Sequence, residues 1–242
     1  MSLAQTISAT SASVVALAAL GLWGGLSHES QLFGPSLVSP PSPDQFALTF
    51  DDGPNPAATP YLLDTLARHN VRATFFVIGA YALREPAITR RIHAEGHVLG
   101  NHTMHHPWLP RHSNTLIREE LRSANHAVAD ITGAPVRLFR PPHGARRPFL
   151  YRAARELDLQ VVLWNVMVGD WLPRIADDLH ARILAGMARN FRKRRGTNLV
   201  LHDGGQAGLG QPRLNTVAAV DRLLDRLPPE TAFVTPSAEG WA

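Results

Sequence analysis

The polar residues of this chain gather at the ends of its apolar runs, and that placement constrains the fold more than any bulk property. Phe46 to Phe50 reads as a strand and stops at Asp51-Asp52-Gly53-Pro54. Leu138-Phe139-Arg140 stops at Pro141-Pro142-His143-Gly144. Gln160 to Val166 leads to Gly169-Asp170-Trp171, and Asn198 to Leu201 leads to His202-Asp203-Gly204. Ala73 to Ile78, His97 to Asn101 and Thr231 to Thr235 complete the strands. Between them lie amphipathic stretches that read as helices: Glu85 to Glu95 with Gly96 as its stop, Asn114 to Thr132, Phe149 to Leu157, Ala176 to Asn190 and Thr216 to Leu227. Thr59 to His69 is another, with Thr59 as N-cap and Pro60 in its first position. Strands alternating with helices imply parallel βα units. Seven or eight of them predict an α/β barrel, whose chemistry gathers at the C-terminal strand ends. A chain of 242 residues is long enough for one such domain.

Two adjacent carboxylates at the end of a buried strand repel each other unless something uses them. About fifty residues on, His102 and His106 stand four apart, a spacing that lets two imidazoles share one face of a helical turn and meet one metal ion. One Asp with two His makes a metal site with room for water, and the second Asp is then free to act on that water. Taken singly these residues have plain explanations. Asp51-Asp52-Gly53-Pro54 could be a turn, the chain holds 12 histidines, Arg140 could pair structurally, and His202-Asp203 could be a capped loop. At matching ends of one barrel, they belong together.

Bulk composition is that of a globular protein, 45% hydrophobic and 18% charged. The pI of 10.3 owes much to residue choice, since Lys193 is the sole lysine and the formal net charge is only +4. The run Arg192-Lys193-Arg194-Arg195 is short and has no interleaved aromatics, so a nucleic-acid role is not expected; it reads as a solvated loop that could touch an anionic polymer or lipid. With no cysteine, disulfides and thiolate metal sites are excluded. Met1 to Ser27 carries no charged side chain, and Val14 to Leu26 is nearly all apolar. Residues 1–44 are therefore read as a leader, a signal or membrane anchor followed by a Pro- and Ser-rich linker from Phe33 to Asp44, although no Lys or Arg precedes the apolar core. That reading places the protein outside the cytoplasm, periplasmic, extracellular or tethered by its N-terminus. A packed or disordered leader in a cytoplasmic chain is the alternative.

Five blocks carry a resemblance: Thr-Phe-Asp-Asp-Gly-Pro at 49–54, His-Thr-Met-His-His at 102–106, Arg-Pro-Pro-His-Gly at 140–144, Gly-Asp-Trp at 169–171 and Leu-Val-Leu-His-Asp at 199–203. In this order they resemble the polysaccharide deacetylase family, also called the NodB-homology or carbohydrate esterase family 4 domain, over residues 45–242. The resemblance implies a distorted (β/α) barrel of the deacetylase type, acting as a monomer on N-acetylated glycans. It implies that Asp52, His102 and His106 hold a metal, usually Zn²⁺ with Co²⁺ or Ni²⁺ as fitting substitutes. Asp51 would be the base, positioned by Arg140, and His202 the acid, tuned by Asp170. The His143 backbone N–H would stabilise the oxyanion, while Trp171 and Leu201 would line the acetyl pocket. His105 points to another face of the turn and Asp203 caps the loop after His202, so neither is expected to act.

Two positions depart from the family pattern. Met167 stands where the fourth block often has an additional Asp, which predicts a weaker or rearranged network around Arg140. His143 replaces a common Tyr, a change expected to alter pocket shape more than reaction. The implied activity is removal of N-acetyl groups from N-acetylglucosamine units of peptidoglycan or chitin-like glycans. An O-acetyl esterase of the same fold (xylan-type) and a catalytically inactive glycan-binding domain are the alternatives.

Overall fold

The computed structural model describes residues 3–237 and Trp241, with the backbone alone for residues 3–14. The elements run α1 (Leu3–Leu26), β1 (Gln45–Gly53), α2 (Thr59–Arg68), β2 (Thr74–Val77), α3 (Gly79–Arg84), α4 (Pro86–Ala94), β3 (Val98–Asn101), α5 (Asn114–Thr132), β4 (Leu138–Phe139), α6 (Pro148–Glu156), β5 (Gln160–Val161), β6 (Val166–Met167), α7 (Ala176–Arg192), β7 (Thr197–His202), α8 (Leu214–Leu224) and β8 (Ala232–Phe233). The strands pair in parallel in the order β5-β4-β3-β2-β1-β7-β6, with β8 beside the start of β1. The sheet curls into the distorted barrel expected of alternating βα units, with its helices outside.

Period-two alternation divides the barrel's side chains between two environments. Phe46, Leu48 and Phe50 of β1 and Leu199 and Leu201 of β7 join the large core shared with the helices. Their neighbours belong to the concave face. There Val200 packs with Val38, Leu163 and Trp164, and Phe76 packs with Leu138 and Val162.

The run read as one strand from Gln160 to Val166 is two. Val161 pairs with Phe139 of β4 and Val166 with Leu199 of β7, so the run crosses from one edge of the sheet to the other. Five residues of extended chain reach at most roughly 17 Å, which bounds the width of this seam. Leu37 occupies it: its N–H bonds the Val161 carbonyl at 2.8 Å, and its own carbonyl accepts the Leu163 N–H at 2.8 Å. The Pro- and Ser-rich stretch read as a linker is therefore packed into the barrel, with Ser36, Val38 and Ser39 all buried. Edge groups of the sheet need partners, and this stretch supplies them. Upstream, α1 leaves Val15, Leu17, Leu22 and Trp23 exposed. No helix among the described residues is long and apolar enough to cross a membrane.

Thr59 is not the cap of α2. Ala58 holds that position without a side-chain bond, while Thr59 Oγ1 accepts the Asn55 N–H at 2.8 Å and donates to Asp203 Oδ2. Here a buried carboxylate competes successfully for a hydroxyl that sequence proximity assigned to the helix end.

Candidate active site

β1 delivers Asp51 and Asp52 at its C-terminal end, where Asp52 takes a left-handed φ of 68°. The next residue must be glycine, because a Cβ on Gly53 would lie 2.2 Å from Asp203 Oδ2. β3 delivers Asn101, and the histidines follow in a loop rather than the helical turn expected from their spacing. Thr103 and His106 have φ of 67° and 58°, which no right-handed helix allows. Side chains hold this loop instead: Asn101 Oδ1 accepts the Thr103 N–H at 2.7 Å, and Thr103 Oγ1 accepts the His106 N–H at 2.9 Å. The local bonds outweigh the helical pattern and turn both imidazoles towards Asp52.

Asp52 Oδ1 lies 3.3 Å from His102 Nε2 and 3.2 Å from His106 Nε2. His102 Nδ1 sits 2.7 Å from the Arg140 carbonyl, which can only accept, so the ring's proton is on Nδ1 and Nε2 presents a lone pair. Asp52 Oδ1 is buried without a hydrogen-bond donor. Burial opposes its charge, but the His102 and His106 imidazoles beside it outweigh burial and hold the carboxyl well below the usual carboxylate range. Three donor atoms within 4.8 Å of one another, facing one point and otherwise unsatisfied, fit a divalent metal with one carboxylate and two neutral imidazoles.

Arg140 is fully buried behind Asp51. Its Nη1 donates to Asp51 Oδ1 at 2.7 Å and to Thr49 Oγ1 at 2.8 Å, and its Nη2 donates to the Leu163 carbonyl at 2.9 Å. The guanidinium carbon lies 4.2 Å from the centre of the Phe76 ring and 5.6 Å from that of Trp164. Met167 is 48% exposed and lines the cavity, so no second acid meets this arginine from that position. A hydroxyl, a carbonyl and two ring faces surround it, while Nε has no hydrogen-bond partner.

On the other side, His202 ends β7. Its Nδ1 is 2.8 Å from Asp170 Oδ1, and its backbone N–H donates to Asp170 Oδ2 at 2.7 Å. Thr216 Oγ1 fixes the same carboxylate at 3.0 Å. Burial disfavours the imidazolium, but Asp170 outweighs it, with Asp52 and Asp51 adding to the pull, and the pKa of His202 is pushed up to about 9. Trp171 meets the His202 ring edge-on at 5.0 Å. His143 has a left-handed φ of 58°, and its ring lies 4.7 Å from that of His106. Burial and the neighbouring His106 push its pKa down.

One cavity of about 390 Å³ is lined by Asp51, Asp52, His102, His106, His143, Trp171 and His202, with Arg140 and Asp170 immediately behind. Leu201 is not there. It faces the helices in the large core, and its neighbour Val200 lines the cavity, because adjacent residues of a strand point to opposite faces. Trp164, Met167, Gln206, Gln211 and Arg213 also line it and were not singled out as lining residues in the sequence. The alternation along β7 was the available signal for Val200. The 205–213 wall follows no periodicity; it is held from a distance by Asn55, whose Nδ2 bonds the Asp203 and Gln211 carbonyls at 2.9 and 2.8 Å. His105 pairs with Glu120 at 2.8 Å, away from Asp52. Asp203 is buried rather than capping an exposed loop, and burial pushes its carboxyl up to about 7.

A lone-pair cluster suited to a metal, a carboxylate beside it and a protonated imidazole opposite are the parts needed to hydrolyse an amide or ester. A family model described as polysaccharide deacetylase matches residues 39–162. The chain belongs to the polysaccharide deacetylase family. A chitooligosaccharide deacetylase of Sinorhizobium fredii is 39% identical over 186 residues, 74% of this chain and 84% of that protein. The peptidoglycan-N-acetylglucosamine deacetylase PgdA of Listeria monocytogenes is 36% identical over 183 residues, 76% of this chain but only 36% of that longer protein. Among solved structures, the Bc1960 peptidoglycan N-acetylglucosamine deacetylase superposes with a TM-score of 0.74 at 31% identity, covering 82% of this chain and 89% of that one. The family membership accounts for the order of the five blocks around the barrel.

Proposed function

We propose that the protein is a metal-dependent hydrolase that removes N-acetyl groups from N-acetylglucosamine-containing glycans of the peptidoglycan or chitin type. The observation that carries this reading is the opposition of Asp51 and His202 across one cavity that also presents Asp52, His102 and His106. Zn²⁺, or Co²⁺ in its place, held by those three residues supplies a Lewis acid for the acetamide carbonyl and acidifies a water. Asp51 has one oxygen committed to Arg140 and keeps the other to take the proton of the attacking water. His202 carries the proton that the departing amine needs, and Asp170 maintains it. Each positioned group is worth about 10²–10⁴-fold. The His143 N–H would stabilise the developing oxyanion, and Trp171 with Val200 would bound the acetyl methyl, all three residues lining the cavity.

An inactive glycan-binding domain has no use for both a base and a charged acid, so the paired groups favour an enzyme. The uncharged α1, exposed at Val15, Leu17, Leu22 and Trp23, supports an exported location with membrane or cell-wall association through the N-terminus, and a catalytic cavity lined wholly by this chain supports a monomer. The test is acetate release by the zinc-loaded protein from chitooligosaccharides, peptidoglycan fragments and acetylxylan in parallel. N-acetylated substrates are cleaved, and Asp51→Asn binds metal but is nearly inert. Full metal occupancy without acetate release from any of them overturns the proposal, and release from acetylxylan alone makes the protein an esterase.

A further inference from the structure

The segment just before the family match makes contacts that no leader or linker needs. Arg146 is 2% exposed and, among the described residues, has no acidic partner within hydrogen-bonding distance. Its Nη2 donates to the carbonyls of Gly24 at 3.0 Å, Ser27 at 2.6 Å and Ser30 at 3.4 Å, and its Nη1 to that of Gly144 at 2.7 Å. Its backbone N–H bonds the Gly25 carbonyl at 2.9 Å. The last carbonyls of a helix lack partners within it and favour a cation. Arg146 therefore caps α1 from 120 residues away in the chain, roughly speaking. Gly24 and Gly25 make the approach possible: a Cβ on Gly25 would lie 2.9 Å from the Arg146 carbonyl oxygen, and one on Gly24 2.7 Å from Leu32.

The same segment reaches the cavity by a second route. The His28 ring stacks on Trp164 with centroids 6.0 Å apart and planes 19° apart. Trp164 lines the cavity, lies against the Arg140 guanidinium and fills the space a Cβ on Gly144 would need. Leu37 then bridges the seam, binding Leu163, whose carbonyl accepts from Arg140. The loop from Arg140 to Arg146, which bears His143, is thus gripped at its far end by residues 24–30 and backed by His28 through Trp164.

We infer that residues 24–38 are a permanent part of the catalytic unit, with Arg146 and His28 as positioning residues for the Arg140–Arg146 loop. The unit begins near Gly24, not at the family match near residue 39 or at residue 45. The catalytic consequence rests on the function proposed above: a shift of about 1 Å in Arg140 or His143 costs about 10²-fold in rate.

The experiment uses the full chain loaded with zinc and four variants: Gly25→Val and His28→Ala on the leader side, and Arg146→Gln and Arg146→Lys on the loop side. Leu22→Ser, 64% exposed one turn upstream, is the control. kcat and KM for acetate release from a chitooligosaccharide are measured with metal content and amide hydrogen exchange of residues 140–146. Gly25→Val, His28→Ala and Arg146→Gln lower kcat about 10- to 100-fold, leave KM and metal content within about twofold, and speed exchange in the loop. Arg146→Lys recovers part of the loss, since an ammonium also donates to carbonyls, and Leu22→Ser matches the unaltered chain. A lower melting temperature with unchanged kcat and loop exchange overturns the inference. If the unaltered chain releases no acetate while the leader-side variants still speed loop exchange, the proposed activity fails and the clamp stands.

Discussion

Asp170→Asn isolates the role of the proton on His202. The substitution keeps the size of the side chain and an oxygen to accept the His202 and Thr216 bonds, but removes the charge that raises the imidazole. With Asp170 the pKa of His202 is pushed up to about 9; without it the largest upward pull is gone and burial draws the pKa down, against the smaller pull of Asp52 and Asp51. At pH 8 a group with a pKa of about 9 is about 0.9 imidazolium, and each unit by which its pKa falls below 8 removes about tenfold of that acid form. The assay is the pH dependence of kcat/KM for acetate release, with both proteins metal-loaded. The basic limb of the native profile falls near pH 9, and that of the variant moves to lower pH, while the acidic limb stays in place. Stability carries the same sign. A histidine raised in the folded state contributes stabilisation that is complete below 6.5 and is lost as pH rises through about 9, so the melting-temperature gap between the two proteins closes at high pH. A variant whose basic limb does not move, however slow it is, refutes the assignment of His202 as the acid.

Other outcomes follow from the same geometry. His106→Ala and Asp52→Asn remove one of three converging donors, and elemental analysis after dialysis finds both depleted of zinc with acetate release near background. Arg140→Lys lowers kcat about 10²-fold with metal content unchanged, because a lysine cannot reach Asp51, Thr49 and the Leu163 carbonyl together. Leu201→Ala lowers unfolding free energy by about 2–5 kcal/mol with KM unchanged, whereas Val200→Phe raises KM; the reverse pattern in denaturation and kinetics would return Leu201 to the cavity.

Met167 shows what a motif departure means once neighbours are visible. The missing carboxylate predicted a loose Arg140, yet that side chain has Thr49, the Leu163 carbonyl and the rings of Phe76 and Trp164 around it. Those partners come from two separate strands and the seam, and no local pattern joins them. His102 and His106 show the converse. Their spacing singled out a pair that could hold a metal while suggesting a helical turn, since a separation of four is equally compatible with a loop whose left-handed residues are secured by Asn101 and Thr103.

The order of strands and helices, the parallel barrel and the residue types at its C-terminal rim are local or periodic properties, so the sequence alone determines them. Asp51, Asp52, His102, His106 and His202 are recognisable because each ends or follows an apolar run. Which face a rim residue takes, what surrounds a buried cation and what closes the barrel depend on contacts between segments far apart in the chain. That is why Val200 replaces Leu201 at the cavity, why one predicted strand divides across the seam, and why residues 24–38, read as leader and linker from their composition, pack against Trp164 and Arg146 behind the site. Composition records how a segment would behave in isolation. Burial against the rest of the fold decides what it becomes.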